Sequence, residues 1–309
     1  MHNAASGACV YYKHSGRFSI GGVSISLSAG CAAALVLGYA YGRGSIYVDD
    51  ERFAFLLTIA FGAFLGLLDG YGSVLGKLRN QRVNLCVLAA SSLLALYVSW
   101  SAWIATVLQK FQVETAGWLE YAQNPRILWR AIVYINQYGT WSLGKGDATK
   151  GAALWTVWIV EAAMVIGIAM FTGYACLHHY AFCERCDSWC RSGAKFILSV
   201  PPNPTFLKRQ LETNDWRSLE SLTAGNKNSS HLLVELVGCE RCRQLHTLTL
   251  TYTSITQDKL RRPKVSRTNI VQHFLIGPAQ AENLKQLSTR VEQASKLAPA
   301  KSSSAKAGN

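Results

Sequence analysis

The four letters CERC occur twice in this sequence, at Cys183–Cys186 and again at Cys239–Cys242. Two cysteines separated by two residues direct both sulfurs toward one point, which makes half of a tetrahedral thiolate site with zinc–sulfur bonds of about 2.3 Å. Two such pairs complete the site. The sequence therefore predicts one structural Zn²⁺ ion bound by Cys183, Cys186, Cys239 and Cys242.

A fifth cysteine, Cys190, lies close behind the first motif. Its spacing from Cys186 also suits a metal ligand, so Cys190 is either an alternative ligand or a buried apolar side chain. A thioredoxin-like redox pair fits less well, because no α/β repeat surrounds either motif. In a reducing compartment, paired thiols favour metal or redox chemistry over structural disulfides.

Alternating apolar and polar residues surround the second motif. The segment HLLVELVG leads into it, and threonines then alternate with leucine and tyrosine over residues 247–253, a pattern typical of a strand. A strand, a CERC turn and a second strand form the hairpin knuckle of a zinc ribbon, and the chain resembles that superfamily in its two motifs and this hairpin. The resemblance implies a zinc-bound β-structure and no particular activity. Between the motifs, Asn203 with Pro204 predicts the start of a helical insertion, and Gly225 its end.

Charged residues avoid four long stretches of the chain. Charged residues make up 16% of the sequence, against about 25% in an average soluble protein. Each stretch reaches the length of about 20 apolar residues that a helix needs to cross a bilayer. The first exceeds the apolar core of a signal peptide, so we expect it to be retained. The predicted spans are Phe18–Gly42, Phe53–Gly76, Val83–Gln109 and Gly151–Leu177.

Basic residues set the expected orientation of these spans. The connection after the second span, KLRNQR, carries Lys77, Arg79 and Arg82 without an acid, whereas the connection after the first span holds more acids than arginines. Cytoplasmic loops are enriched in lysine and arginine. The second connection and both termini are therefore predicted to be cytoplasmic.

Small residues recur at every fourth position in the first two spans. Such rows let two helix backbones approach closely, so we expect the first two spans to pair tightly with each other. The alternative is that glycine is simply common in membrane helices. The rows are Gly30, Ala34, Gly38 and Gly42 in the first span and Gly62, Gly66 and Gly70 in the second.

Two acids lie inside the predicted spans, Asp69 in the second and Glu161 in the fourth. A charged side chain at this depth is costly unless it is paired, protonated or hydrated, so such residues are candidates for function. One interpretation is a path for protons or cations along Asp69 and Glu161. The other is a neutral acid hydrogen-bonded to tyrosine, tryptophan, serine or a backbone carbonyl, and it suits a bundle with two acids and no base.

The segment between the third and fourth spans, residues 110–150, is predicted to lie outside the cell and to contain an amphipathic helix. Asn124 followed by Pro125 suits a helix start, with the asparagine as the cap. Apolar residues then recur at helical spacing. This predicts a helix in the outer membrane interface or, alternatively, a cap on the bundle. The apolar stripe is Ile127, Leu128, Ala131, Ile132 and Ile135.

Basic residues concentrate in KLRRPKVSR, beyond the predicted zinc hairpin. They could contact phosphates of nucleic acid, anionic lipids or solvent alone. A strand-like TNIVQHFLI and a helix-like AENLKQLSTRVEQAS follow, and the final LAPAKSSSAKAGN is too polar to bury a core. The basic residues are Lys259, Arg261, Arg262, Lys264 and Arg267.

These patterns together predict a membrane α-helical protein. A four-helix transmembrane bundle is followed by a small α+β cytoplasmic domain that is zinc-ribbon-like. The expected order is a cytoplasmic tail over residues 1–17, the transmembrane domain over 18–177, the zinc-ribbon-like domain over 178–293 and a disordered tail over 294–309.

Four short stretches, KLRNQRV, GTWSLG, WIVEA and FCERCDSWC, are spread over most of the chain. Through them the chain resembles poorly characterised bacterial polytopic inner-membrane proteins. The resemblance implies a multi-pass location in the bacterial inner membrane and brings no known activity. The sequence of the soluble part contains no nucleophile–base pair, phosphate loop or paired catalytic acids, so we expect neither an enzyme nor a small-molecule substrate.

Three functions are compatible with this organisation. We favour an interaction module in the lipid bilayer, in which a zinc-stabilised cytoplasmic domain recruits or senses a protein partner or a second copy of the chain. The first alternative is a channel or transporter subunit that uses Asp69 and Glu161. The second is a membrane-tethered nucleic-acid-binding or sensor protein that uses the basic cluster Lys259–Arg267.

Overall fold

The computed structural model describes residues 11–48, 50–110, 112, 117–139, 149–257 and 263–297. The chain divides into two compact units. The first, the helix bundle, lies within Ser15–His179, and the second, the sheet unit, combines residues 11–14 with residues 180–297. Residues 11–14, which the sequence suggested were part of a separate tail, thus belong to the sheet unit.

Four long helices dominate the helix bundle. They are apolar and long enough to cross a membrane, which confirms the predicted apolar helices to within a few residues. Side-chain caps fix two of the starts: Ser19 accepts a hydrogen bond from a backbone N–H of the first turn at 3.0 Å, and Asp50 accepts two such bonds. In chain order the helices are α1 (Ile20–Gly44), α2 (Glu51–Leu75), α3 (Gln81–Lys110), the short α4 (Trp118–Gln123), α5 (Pro125–Tyr138) and α6 (Ala152–His178).

The rows of small residues pack closely, but not against each other. A Cβ on Gly38 would lie 2.6 Å from the carbonyl oxygen of Ala95 in α3, and one on Gly66 would lie 2.2 Å from that of Ala169 in α6. The first two spans do pack closely on each other, with a Cβ on Gly72 of α2 2.6 Å from the Cβ of Ala29 in α1. The two predicted rows are not the surfaces that meet, because a spacing of four residues selects a helix face and not its partner. Gly42 likewise faces α3, Gly30 faces both α3 and Asp69 of α2, Gly62 and Gly70 face α6, and Ala34 is fully buried.

Helix α5 turns its apolar stripe into the bundle. Leu128, Ile132 and Ile135 are buried against side chains of α3 and α6, with Ala131 packed beside them. Ile127 remains 42% exposed. The structure therefore favours the cap on the bundle over a helix whose apolar stripe faces lipid, since the stripe is used for protein contacts.

The sheet unit is built on a four-stranded antiparallel meander, preceded by a very short hairpin. Its buried side chains form one core, in which Leu248 and Leu250 of the predicted strand are fully buried, so the strand expected after the second motif is confirmed. The hairpin consists of β1 (Phe182–Cys183) and β2 (Ser188–Trp189). The meander follows the order β3 (Arg191–Leu198), β4 (His231–Gly238), β5 (His246–Gln257) and β6 (Pro263–Ile276).

Three helices complete the sheet unit: α7 (Pro204–Glu212), α8 (Arg217–Glu220) and α9 (Pro278–Leu297). The first two form the predicted helical insertion and bury Leu207, Leu211 and Leu219 in the core of the sheet. Helix α9 continues to residue 297, past residue 294, where the sequence suggested a disordered tail.

The two asparagine–proline pairs behave differently. Asn203 caps α7 and accepts hydrogen bonds from two backbone N–H groups at 3.0 and 3.1 Å. Asn124 does not cap α5, so that prediction is wrong. Helix α4 ends directly before it, and the Asn124 side chain donates to the carbonyl oxygen of Glu120 at 3.0 Å instead.

Residues 11–14 run along the free edge of β6. The backbone N–H of Tyr12 donates to the carbonyl oxygen of His273 at 2.8 Å, and Tyr11 pairs with Phe274. The Tyr11 hydroxyl donates to Glu212 of α7 at 2.7 Å. This segment therefore adds a short fifth strand-like element to the sheet, beside the edge strand β6.

Candidate metal centre

Both CERC copies form turns of the same backbone type. The first turn joins β1 to β2 (the first knuckle, residues 182–189), and the second joins β4 to β5 (the second knuckle, residues 238–246). In each turn the residue directly after the second cysteine has a positive φ, 47° at Asp187 and 52° at Arg243. A left-handed residue at this point reverses the chain sharply, and both cysteines of each pair then face the same point.

The four predicted ligands meet in space. The sulfur atoms of Cys183, Cys186, Cys239 and Cys242 all lie within 4.8 Å of one another, and those of Cys183 and Cys242 are 3.6 Å apart. Tetrahedral bonds of about 2.3 Å place sulfurs about 3.8 Å apart, whereas a disulfide needs about 2.05 Å. The cluster therefore has the spacing to hold one metal ion between four thiolates.

The arginine in each CERC copy reaches across to the other knuckle. Arg185 donates a hydrogen bond to the side chain of Gln244, and Arg241 donates to the backbone carbonyl oxygen of Cys186 at 3.3 Å. The two contacts are reciprocal, since each starts from the third letter of its own copy. The repeated sequence thus supplies both the sulfur ligands and the contacts that hold the two half-sites together.

The first cysteine of each pair is more deeply buried than the second. Cys183 is 4% exposed and Cys239 is 2% exposed. Burial raises the pKa of the Cys183 thiol. Burial acts in the same direction on Cys239, but the backbone N–H groups of Cys242 and Arg241 bring its pKa down to about 6. Because the thiolate is the form that binds metal, Cys239 is prepared to act as a ligand at neutral pH.

Cys190 lies beside the cluster without joining it. Its side chain is buried in the same apolar group as Cys183 and Cys239, yet its sulfur is not one of the four that meet. Burial, followed by the neighbouring thiols, raises the pKa of Cys190 to about 12. These observations favour the buried apolar side chain over the alternative ligand.

Two residues that the sequence did not single out support the knuckles. The Tyr12 hydroxyl accepts a hydrogen bond from the backbone N–H of Phe182 at 2.9 Å, which holds β1 in place. The ring Nε2 of buried His246 lies 2.9 Å from the carbonyl oxygen of Arg243 and fixes the second turn. No local pattern could have identified Tyr12, because 170 residues separate it from Phe182.

The two acids inside the predicted spans, Asp69 and Glu161, lie at different positions along the helix bundle. Glu161 accepts a hydrogen bond from the Tyr41 hydroxyl, which is also 2.8 Å from the hydroxyl of Thr58. This agrees with the interpretation of a hydrogen-bonded acid. Asp69 lies three helical turns further along α2 than Thr58, a rise of about 16 Å at 1.5 Å per residue. The structure therefore does not bring Asp69 and Glu161 into one site.

The basic cluster falls partly within the described residues. Lys264 and Arg267 lie on β6 and are exposed, whereas Lys259, Arg261 and Arg262 lie outside the described residues. The strand that the sequence predicted near residue 268 begins earlier, at Pro263. The cluster thus includes the start of an edge strand.

Comparison with known proteins assigns no family to the chain. No protein-family model, no curated protein and no solved structure matches it. The candidate site is therefore defined by its own geometry. Two matching turns bring together four cysteine sulfurs, and these sulfurs could hold one metal ion.

Proposed function

We propose that this chain is an integral protein of the bacterial inner membrane whose cytoplasmic sheet unit, clamped by zinc, recruits a protein partner. One observation carries the proposal. The four-cysteine cluster lies at one end of the meander, and at the other end lies an exposed length of β6 whose outer edge pairs with no strand among the described residues. The clamp holds the sheet in register, and the edge offers the surface for the partner.

Zinc is the metal that suits the cluster. Four thiolates in a near-tetrahedral arrangement are typical of structural zinc sites, which leave no position open for substrate. A cytoplasmic location keeps the thiols reduced and available to the metal. The expected role is therefore to stabilise the fold of the sheet unit and not to catalyse a reaction.

Three observations support the membrane location and the orientation. The four long helices have the length and apolarity to cross a bilayer. Residues 11–14, before the first of them, and residues 180–297, after the last, belong to one compact unit. An even number of crossings returns the chain to the side from which it started, and the basic connection with Lys77, Arg79 and Arg82 favours the cytoplasm.

The free edge of β6 is the surface that we assign to the partner. Residues 263–269 are exposed, and β4 reaches no further along β5 than Thr253, so the β5–β6 hairpin extends beyond the sheet. Within the described chain, the bridge to this edge is made by Tyr11 at Phe274, near the opposite end of β6. Unpaired backbone N–H and C=O groups of an edge strand bind an added strand readily.

The chemistry of this edge favours an acidic, extended segment of the partner protein. Lys264 and Arg267 are exposed on the free length of β6, and the whole chain carries a net charge of +13. Backbone hydrogen bonds would supply affinity, and the basic side chains would select for acidic residues. The metal clamp would contribute indirectly, because loss of the second knuckle would release the register of β4 on β5 and hence the position of β6.

A photo-cross-linking residue at Ser266, introduced into the full chain in its native membrane, tests the proposal. We expect a discrete cross-link to a protein whose attached peptide is acidic and extended, and weaker binding of that purified segment after Lys264→Glu with Arg267→Glu. Lys227→Glu, a charge reversal at an exposed residue that is not part of β6, is the matched control. Equal loss with the control, or a cross-linked product that nuclease digests, would contradict the proposal, the latter in favour of nucleic acid.

A further inference from the structure

A buried chain of polar side chains crosses the point where α1, α2 and α3 meet. The hydroxyl oxygens of Ser26 and Ser73 are 2.7 Å apart, and Ser73 donates to the side-chain oxygen of Asn84 at 2.6 Å. All three side chains have no exposed surface. The side-chain nitrogen of Asn84 has no hydrogen-bond partner among the described residues, so the chain ends in an unused donor.

Asp69 lies one helical turn from this chain and is fully buried. Neither of its carboxylate oxygens has a hydrogen-bond partner in the described part of the structure. The hydroxyl of Ser91, also unpartnered, lies on the same side. A Cβ on Gly30 would be 2.2 Å from that hydroxyl and 3.0 Å from Asp69 Oδ1. Two complementary polar groups thus face each other across Gly30 without a hydrogen bond of normal geometry.

No charged side chain of the described residues compensates Asp69. The groups that face it are Gly30 from α1 and Ser91 from α3, neither of which is charged. On α6, Cys176 packs against Gly70, the residue next to Asp69, and its Cβ would be 2.9 Å from a Cβ on Gly70. The other interior acid, Glu161, is three turns away and is bonded to a tyrosine.

An ionised carboxylate in this position would be unpaired in an apolar interior, which is among the most unfavourable arrangements in a folded protein. A proton removes the charge and also supplies what the site lacks, a donor that can bond to the Ser91 hydroxyl. The Asp69 oxygen that stays unprotonated keeps its capacity to accept a hydrogen bond, and Ser73, the nearest member of the polar chain along α2, lies one helical turn away.

We propose that Asp69 is a proton-binding site inside the helix bundle, and that Ser73 and Asn84 connect it to the end of the bundle where α2 ends and α3 begins. The proton comes from a hydronium ion at that end: one O–H bond of the hydronium breaks, leaving water, as the O–H bond on the Asp69 carboxylate forms. Ser73 lies one turn from Asp69 toward this end, and Asn84 lies in the first turn of α3. This inference depends on contacts within the helix bundle and is independent of partner binding by the sheet unit.

Infrared spectroscopy of the purified full chain tests directly whether the Asp69 carboxyl group is protonated. A protonated carboxylic acid has a carbonyl stretch that a carboxylate lacks. We expect the wild-type protein at neutral pH to show a component of this band that is lost in Asp69→Asn and persists in Glu161→Gln, which separates the signal of Asp69 from that of Glu161. Asparagine has the same size and no charge, so Asp69→Asn should fold. Absence of the band at neutral pH in the folded wild-type protein would overturn the proposal. Loss of the band on adding Na⁺ would also overturn it, in favour of a sodium site.

Deuterium exchange tests the route. Transfer of the protein into D₂O shifts the same band as the acid proton is replaced, and the rate of this shift measures access to the site. We expect Ser73→Ala to slow the shift and Ser92→Ala to leave it unchanged, because buried Ser92 bonds to its own helix at 2.7 Å and is outside the chain. Equal rates in Ser73→Ala and the wild type would exclude this route.

Discussion

Replacing one cysteine at a time distinguishes a ligand from a neighbour. Cys186→Ser removes one of the four clustered sulfurs, whereas Cys190→Ser leaves all four in place. Structural zinc sites contribute about 10–16 kcal/mol, so the loss of one ligand in four costs several kcal/mol. At about 1.4 kcal/mol per tenfold, metal affinity should fall by a factor on the order of a hundred or more.

Cys190→Ser should behave differently. It places a hydroxyl in an apolar group where the side chain is 5% exposed, which costs about 1–3 kcal/mol of folding free energy. The metal affinity should stay within a few-fold of the wild type, because no sulfur ligand is lost.

The assay is metal content per chain, measured on the full-length protein in detergent while a chromogenic chelator competes for the metal. Metal should leave Cys186→Ser at a far lower chelator concentration than either the wild type or Cys190→Ser. The reverse order, with Cys190→Ser losing its metal first, would refute the ligand assignment. Equal retention in all three proteins would refute the four-thiolate site itself.

Three further predictions concern contacts elsewhere. Arg241→Ala should weaken metal binding by about 0.5–1 kcal/mol, roughly two- to fivefold in the chelator assay, since it removes one exposed contact between the knuckles, while Arg209→Ala should have no effect. In Gly66→Ala the new Cβ would lie 2.2 Å from a backbone oxygen of α6, and thermal unfolding should show a loss of about 1–3 kcal/mol. Gly167→Ala, with nothing within 4 Å, should be neutral. Burial and then a glutamate of α7 raise the pKa of Tyr11 from 10.0 to about 12. The contribution of the Tyr11 hydroxyl to folding stability is therefore complete below pH 10 and is lost as pH rises through 12. Tyr11→Phe should lack that loss in alkaline unfolding experiments, and an unchanged alkaline profile would contradict the assignment.

The features that local patterns specify could be predicted from the sequence. Four apolar runs gave four helices, and alternation at residues 247–253 gave a strand. The spacing within each CERC predicted a pair of sulfurs directed at one point. The presence of two copies predicted the complete four-cysteine cluster that the structure contains. In each case the information lies within a few turns of chain, where helix or strand periodicity determines which side chains share a face.

Partners across the fold could not be predicted in the same way. The row containing Gly38 was expected to meet the row containing Gly66, yet each packs on a different helix. Asn124 has the residue types of a helix cap, but the preceding helix uses its side chain. Asp69 and Glu161 looked equivalent in sequence, and only the packing shows that Glu161 is hydrogen-bonded whereas Asp69 has no partner among the described residues. These outcomes depend on which surfaces meet, and the periodicity of one segment does not contain that information.

The contact between Tyr12 and Phe182 also has a consequence for biosynthesis. Tyr12 leaves the ribosome before any of the four long helices, whereas Phe182 and His273, its partners, follow all of them. In the membrane orientation that we propose, the early segment waits on its side of the bilayer until translation is almost complete. A chain inserted with an odd number of crossings would leave Tyr12 on the opposite side from both partners. The first knuckle would then lack the hydrogen bond from Phe182 to Tyr12. The metal centre would therefore be complete only in chains whose helices had crossed the bilayer an even number of times.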